Sequence, residues 1–113
     1  ELNEFDEEDI NVLKLDGRIC KIEPLRTTRN GKHNIHFILA NNLIVSDGVK
    51  KLNSYIPCIA WGDAAIAISQ LSVNSKLEIV GSLHSREYKK TLSDGTFEFR
   101  VAHECVVDSF KSI

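Results

Sequence analysis

The chain has 113 residues, 42% of them hydrophobic, so it can form one compact domain but not two of comparable size. No apolar run approaches the roughly 20 residues that span a bilayer, and no charged-then-apolar leader opens the chain, so nothing indicates a membrane or secreted protein. The net charge is −2, and it is distributed unevenly along the chain. Residues 1–9 hold six of the 16 acidic residues and none of the 14 Lys and Arg.

Residues 10–113 therefore carry a net charge of +4, which suits a modest attraction to polyanions, although solubility explains such a charge equally well. Residues 1–10 are predicted to be an acidic disordered linker or the tail of a preceding domain, since the chain does not begin with Met. Residues 11–113 are predicted to form the single folded domain.

Three cysteines lie far apart inside apolar, strand-like runs, which is typical of small buried hydrophobic residues: Cys20, Cys58 and Cys105. They form no Cys-x-x-Cys pair and have no zinc-binding spacing relative to the four histidines. We therefore expect no metal and no cofactor. Free thiols fit a reducing cytoplasm best.

The first half of the domain reads as two strands joined by a basic turn. Residues 11–22 alternate as a strand, and Gly17 inside it indicates a bend or bulge, as in small barrels. Asn30-Gly31 is a strong hairpin signal, and the basic residues around it are Arg26, Arg29 and Lys32. Residues 34–40 return as a second strand, with one strongly apolar face formed by Ile35, Phe37 and Leu39.

Residues 41–54 show no sustained period and predict a long loop. A third strand then runs into a helix, because Gly62 interrupts an aromatic, β-branched run and alanines recur at helical spacing after it. Tyr55 and Trp61 are six residues apart, which places both on one face unless Pro57 shifts the alternation. Whether Trp61 is a core residue or an open platform stays undecided from spacing alone.

The second half reads as a long hairpin. Residues 76–88 alternate as a fourth strand with Arg86 and Tyr88 on its polar face. Residues 89–96 form a second basic turn, with Lys89 and Lys90 before an Asp-Gly tip, and a last strand begins at residue 97. His103 falls on an apolar face, which favours a core or subunit-interface residue over a catalytic base.

Three strands, one helix and two strands form the element order of the oligonucleotide/oligosaccharide-binding (OB) fold. The predicted class is therefore all-β with one short helix, a five-stranded Greek-key barrel with long hairpins. In this fold, strands two and three and the adjoining loops form the usual ligand face.

Aromatic platforms beside cationic groups are what sequence-tolerant binding of single strands requires. The candidate stacking residues are Tyr55, Trp61 and Tyr88, and the candidate phosphate-binding residues are Arg26, Arg29, Lys32, Arg86, Lys89 and Lys90. The alternative is that Trp61 is core and the hairpin lysines are only solvated. No phosphate loop, nucleophile elbow or zinc-protease motif is present in the sequence, so no enzyme is predicted.

Five blocks of the chain follow one another with a specific spacing: residues 11–19, 23–32, 37–40, 55–62 and 80–88. The fourth reads Tyr55-Ile-Pro-Cys-Ile-Ala-Trp-Gly and the fifth Val80-Gly-Ser-Leu-His-Ser-Arg-Glu-Tyr. Together they resemble the bacterial single-stranded DNA-binding protein family, which has aromatic-x-x-Cys/Val-x-x-Trp/Phe-Gly and Glu-Gly-x-Leu-x-x-Arg-x-Tyr/Trp at these places.

The resemblance implies stacking on Tyr55, Trp61 and Tyr88, a phosphate contact from Arg86, and assembly into a homo-dimer or homo-tetramer. Two positions depart from the family. Val45 replaces a further aromatic, and Asp63 replaces a basic residue after Trp-Gly. The family's acidic C-terminal tail is not matched here, and the acidic residues 1–10 resemble the linker of clostridial relatives with tandem domains.

The expected function is binding of single-stranded DNA, or RNA, without strong sequence preference in replication, repair or recombination. The expected location is the cytoplasm, in association with the nucleoid. No membrane and no small-molecule substrate is expected as a partner. The alternative, supported by Val45 and Asp63, is a primosome-like OB-fold scaffold that binds proteins and has weak or no DNA binding.

Overall fold

Six strands and one helix follow one another in the residues described by this computed structural model, which are residues 8–48 and 50–113. They are β1 (Leu13–Ile22), β2 (Arg26–Thr27), β3 (His33–Val45), β4 (Lys50–Trp61), α1 (Asp63–Ser69), β5 (Lys76–Thr91) and β6 (Phe97–Ser112). The predicted order is confirmed, with the two-residue β2 added to it. Most of the predicted acidic linker, residues 1–7, lies outside the described residues.

The sheet closes into a barrel because β1 has two partners. Its first half pairs with β5, from Leu13 opposite Gly81 to Arg18 opposite Lys76, and its second half pairs with β3. Strand β4 is antiparallel to β3 and parallel to β6, and β6 is antiparallel to β5. The circuit β1, β3, β4, β6, β5 confirms the predicted five-stranded barrel with one short helix.

Two glycines let neighbouring backbones approach closely where the barrel bends. A Cβ at Gly17 would lie 2.3 Å from the carbonyl oxygen of Ala40, and a Cβ at Gly81 would lie 2.2 Å from that of Val106. Gly17 is next to the residue at which β1 changes partner, and Gly81 is at a register shift between β5 and β6. No larger residue fits either place without moving the backbone of the neighbouring strand.

Side chains on the inward faces of the strands form the core of the barrel. Ile35, Phe37 and Leu39 are all buried, as the alternation of β3 predicts. Helix α1 covers one end of this core with Ala65 and Ile68, which lie three residues apart and therefore on one helix face. Gly62, with a φ of 66°, is the N-cap of the helix, and the N–H of the C-cap residue Gln70 donates to the carbonyl oxygen of Ala67 at 3.2 Å.

Two of the three cysteines are part of the core. Cys58 in β4 and Cys105 in β6 are register partners, and both are buried. A hydrogen bond with Cys105, together with burial, raises the pKa of the Cys58 thiol above its ordinary value. Cys58 therefore stays a protonated thiol at neutral pH and behaves as a small apolar residue. Cys20, predicted to be buried, is exposed instead.

A β-bulge explains the position of Cys20. The register of β1 against β3 passes from Ile19 opposite Leu39 directly to Lys21 opposite Ile38, so Cys20 has no partner of its own. The extra residue reverses the alternation, which turns Lys21 outward and returns Ile22 to the core side. Without this bulge, Lys21 would share the inward face of Ile19.

The predicted loop over residues 41–54 is wrong, because most of this stretch is a regular hairpin. Strands β3 and β4 pair without interruption out to Val45 opposite Lys50, and Leu43 lies opposite Leu52. Polar residues on both strands obscure the alternation of apolar and polar residues in the sequence. In the structure these polar residues lie opposite one another in the pairing of β3 with β4. The hairpin forms an arm that extends beyond the barrel.

Strands β5 and β6 form a second arm. Its turn is closed by the hydroxyl and backbone N–H of Thr96, which donate to the Asp94 carboxylate and lower the pKa of that group. Phe99 and Val101 remain exposed on one face of the arm. His103 is exposed as well, so it is not a core residue of this chain, and its place at a subunit interface stays a prediction. The two arms leave the same end of the barrel, because β4 and β6 run parallel.

Candidate nucleic-acid interface

Tyr55 and Trp61 share the outward face of β4. The pairing of β4 with β3 is regular from residue 50 to residue 61, so Pro57 does not shift the alternation. Tyr55 is 65% exposed and Trp61 is 44% exposed. The core alternative for Trp61 is therefore excluded. The two residues are about 20 Å apart along the strand, a distance that several nucleotides of a single strand can span.

The position of Trp61 at the end of β4 is fixed by its neighbours. Its register partner is Asn34, which is itself buried, and the next residue, Gly62, donates its N–H to the carbonyl oxygen of His33 at 2.9 Å. The positive φ of Gly62 then turns the chain into α1. Trp61 is therefore held by its pairing with β3 and by the backbone hydrogen bond of the next residue, while its indole stays partly open.

Cations face the same side as these aromatic residues, two strands away. Arg18 lies opposite Ala40, which lies opposite Tyr55, so these three residues form one row across β1, β3 and β4. A second row contains Lys21, Ile38 and Pro57. Residues opposite one another in an antiparallel ladder point to the same face. Arg18 and Lys21 are therefore on the outward face, about 10 Å from the backbone of β4.

A third row completes this surface at the other end. Arg26 in β2 lies opposite Asn34, which lies opposite Trp61. We call Tyr55 and Trp61 the aromatic lane, and Arg18, Lys21 and Arg26 the cationic lane. The small or neutral residues Ala40, Ile38 and Asn34 separate the two lanes. A groove of about 180 Å³ lies beside the two lanes, and its lining includes Lys21, Ile38 and Pro57 together with the acidic residues Glu23 and Glu104.

Arg86 and Tyr88 border this surface from the β5–β6 arm. The Nε of Arg86 is 3.3 Å from Oε1 of Glu104, and both residues line the groove. The Glu104 side chain is only 12% exposed, whereas that of Arg86 is 55% exposed. Tyr88 lies two residues further out on the same face of the arm and is 37% exposed. The structure therefore places these two predicted residues on one face of β5, with the charge of Arg86 partly compensated.

The predicted basic turn between β1 and β3 is well defined. Thr28 and Lys32 close it, with the N–H of Thr28 donating to the carbonyl oxygen of Lys32 at 2.8 Å. Arg29 and Lys32 are exposed in this turn. Arg26 is 3.4 Å from the carboxylate of Glu23, so part of its charge is also compensated.

Lys89 and Lys90 lie on opposite faces of β5, because they are consecutive strand residues. Lys90 lies opposite Glu98 on the face that also carries Arg86. Lys89 is on the other face, where its Nζ is 3.9 Å from the centre of the Phe97 ring. The two lysines therefore cannot contact one nucleic-acid strand in the same way. The structure separates Lys89 from the other predicted phosphate-binding residues.

Asp63 begins α1 directly after the aromatic lane. It is exposed, and its carboxylate is in the first turn of the helix, where negative charge is favourable. Stabilisation of the helix therefore explains why an acidic residue occurs here. Its charge still lies two residues from Trp61, so it opposes a polyanion on this surface.

Residues 8–48 and 50–113 contain no group of three or more His, Cys, Asp or Glu side chains that could share a metal ion. No helix within the same residues is long and apolar enough to cross a membrane.

Known proteins resemble this chain in sequence pattern and in fold. The sequence model of the Single-strand binding protein family matches residues 10–112. Two solved structures of the protein priB from Ralstonia solanacearum are similar in fold, each with a TM-score of 0.70 and 16% identity. The alignments cover 93% of this chain and 100% of the first structure, and 92% and 98% for the second. A search of curated proteins gave no match. The structural likeness confirms the barrel fold.

Proposed function

Because the chain belongs to the single-strand binding protein family, we propose that it binds single-stranded DNA without strong sequence preference. The proposed contacts are bases stacked on Tyr55, Trp61 and Tyr88 and phosphates neutralised by basic residues. The observation that carries this proposal is the outward face shared by Tyr55 and Trp61, both exposed, with cations facing the same side. Stacking of this kind does not select a base, since every base has a π-face.

The proposed phosphate-binding residues differ in how readily they can act. Arg29 and Lys32 are exposed in the basic turn, and Arg26 must exchange Glu23 for a phosphate. Arg86 must likewise leave Glu104. Lys90 can bind a phosphate beside Arg86 on the arm. Lys89 can do so only if the nucleic-acid strand passes over the face of the arm that carries Phe97.

The chain is proposed to act as a binding protein rather than an enzyme, in replication, repair or recombination, and in association with the nucleoid. We also propose that it forms a homo-dimer or homo-tetramer, as the family resemblance implies. Sedimentation of the free chain tests this state, because a monomer would contradict it.

Titration of the protein with oligo-dT, followed by the fluorescence of its single tryptophan, tests the proposed function. We expect strong quenching, because a base stacks on Trp61. The logarithm of the binding constant should fall with the logarithm of salt concentration with a slope of about −2 to −3, as three or four neutralised phosphates require.

Absence of quenching at tens of micromolar in low salt would contradict DNA binding and would favour the scaffold alternative. A parallel titration with oligo-rU shows whether RNA is bound as well as DNA.

A further inference from the structure

We propose that Arg18 and Lys21 on β1 are phosphate-binding residues, and that the backbone of a bound single strand follows the cationic lane while its bases reach toward β4. This proposal rests on the proposed function and adds two residues to the site. Both lie in the first strand and outside the two hairpin turns in which the basic residues of the sequence cluster.

The charges of the cationic lane and of the neighbouring Arg86 are unequally compensated. Arg26 and Arg86 each have a carboxylate within 3.4 Å. Lys21 forms no ion pair among the described residues, and Arg18 donates from Nη1 to the neutral carbonyl oxygen of Asn74 at 3.0 Å. A phosphate can therefore bind Lys21 or Arg18 without displacing a carboxylate. These two residues should carry more of the phosphate binding than the paired arginines.

The bulge at Cys20 gives these two cations a common face. Residues three apart in a regular strand point to opposite sides, but the bulge places Arg18 and Lys21 opposite Ala40 and Ile38, which are two residues apart. The two rows are therefore about 7 Å apart along the sheet. This spacing resembles that of neighbouring phosphates in an extended single strand.

The surface between the lanes is compatible with a nucleotide lying across it. In the two rows concerned, Ala40 and Ile38 separate the cations from β4, and neither carries a charge. Tyr55 ends the row that begins with Arg18. A phosphate at Arg18 therefore places the attached base over Ala40 and in reach of the Tyr55 ring.

The test compares salt dependence in Arg18→Gln/Lys21→Gln with the wild-type protein, again by Trp61 fluorescence with oligo-dT. For single-stranded DNA, each phosphate contact contributes about 0.7 to the slope of the logarithm of the binding constant against the logarithm of salt concentration. We therefore expect the magnitude of this slope to fall by about 1.4 in the double variant. The quenching at saturation should stay as in the wild type, because the aromatic lane is unchanged.

A matched control is Lys14→Gln/Lys111→Gln, which removes the same charge from the barrel wall formed by β1, β5 and β6. Its slope should equal that of the wild type. Because Arg18 also bonds to Asn74, the single variant Lys21→Gln is measured too, and we expect a fall of about 0.7.

A wild-type slope in both Arg18→Gln/Lys21→Gln and Lys21→Gln, with full quenching, would overturn the proposal and leave the proposed function intact. An equal fall in the control would show only a net-charge effect and would also overturn it. A wild-type protein that fails to quench would instead overturn the proposed function.

Discussion

The double variant Tyr55→Ala/Trp61→Ala is expected to bind single-stranded DNA about 30-fold to 10⁴-fold more weakly than the wild type. Each stacked base contributes about 1–3 kcal/mol, and the two residues are far enough apart for their effects to add. Both side chains are exposed, so their removal should leave the barrel folded. Because the variant lacks tryptophan, the measurement is the fluorescence anisotropy of a labelled oligonucleotide.

A matched control is Phe97→Ala/Phe99→Ala, which removes two exposed aromatic rings from the other face of the β5–β6 arm. Its affinity should stay within about 1 kcal/mol of the wild type, since neither ring belongs to the outward surface of β4. If the control lost as much affinity as Tyr55→Ala/Trp61→Ala, the ligand would have to contact the apolar face of the arm.

Substitution Gly17→Ala is expected to destabilise the fold by about 3 kcal/mol or more, a large share of the stability of a domain of this size. The new Cβ would lie 2.3 Å from the carbonyl oxygen of Ala40, and that oxygen belongs to the backbone of β3. Relief requires β1 to move away from β3, which opens the barrel where it closes. Urea unfolding followed by circular dichroism measures the loss.

Gly31→Ala is the matched control, because, apart from the two adjoining residues, no atom of residues 8–48 or 50–113 lies within 4 Å of a Cβ there and its φ of 81° is what opposes the change. Left-handed backbone costs a non-glycine residue about 1–2 kcal/mol. A Gly17→Ala protein as stable as the control would contradict the close contact between β1 and β3.

The alternation of residues predicted the outward face of β4 correctly because nothing interrupts that strand. Tyr55 and Trp61 are an even number of residues apart, and their pairing with β3 has one register throughout. The family resemblance then distinguished a binding role for Trp61 from a core role, and the structure confirms the exposure that such a role needs.

The cationic lane could not be predicted in the same way, since it depends on pairing between distant parts of the chain. Arg18 and Lys21 become neighbours of the aromatic lane only through the register of β1 against β3 and the bulge at Cys20. One signal was present in the sequence. Ile19 and Ile22 are both apolar at a spacing of three, which a regular strand cannot place on one face.

Two further differences have the same origin. The sequence predicts a loop where β3 and β4 form an arm, because the polar residues of this arm pair with each other across the two strands and no local pattern shows such pairing. The sequence also groups Lys89 with Lys90, whereas the pleat of β5 separates them and the Phe97 ring binds the first.

Photo-crosslinking of an oligonucleotide that carries halogenated uracil, with the adducts located by mass spectrometry, tests most directly where the ligand lies. We predict adducts at Tyr55, Trp61 and Tyr88, since these exposed rings lie on the outward face of β4 and on the face of the arm that borders it. Adducts confined to Phe97 and Phe99 would contradict the account, because they would place the nucleic acid on the opposite face of the arm.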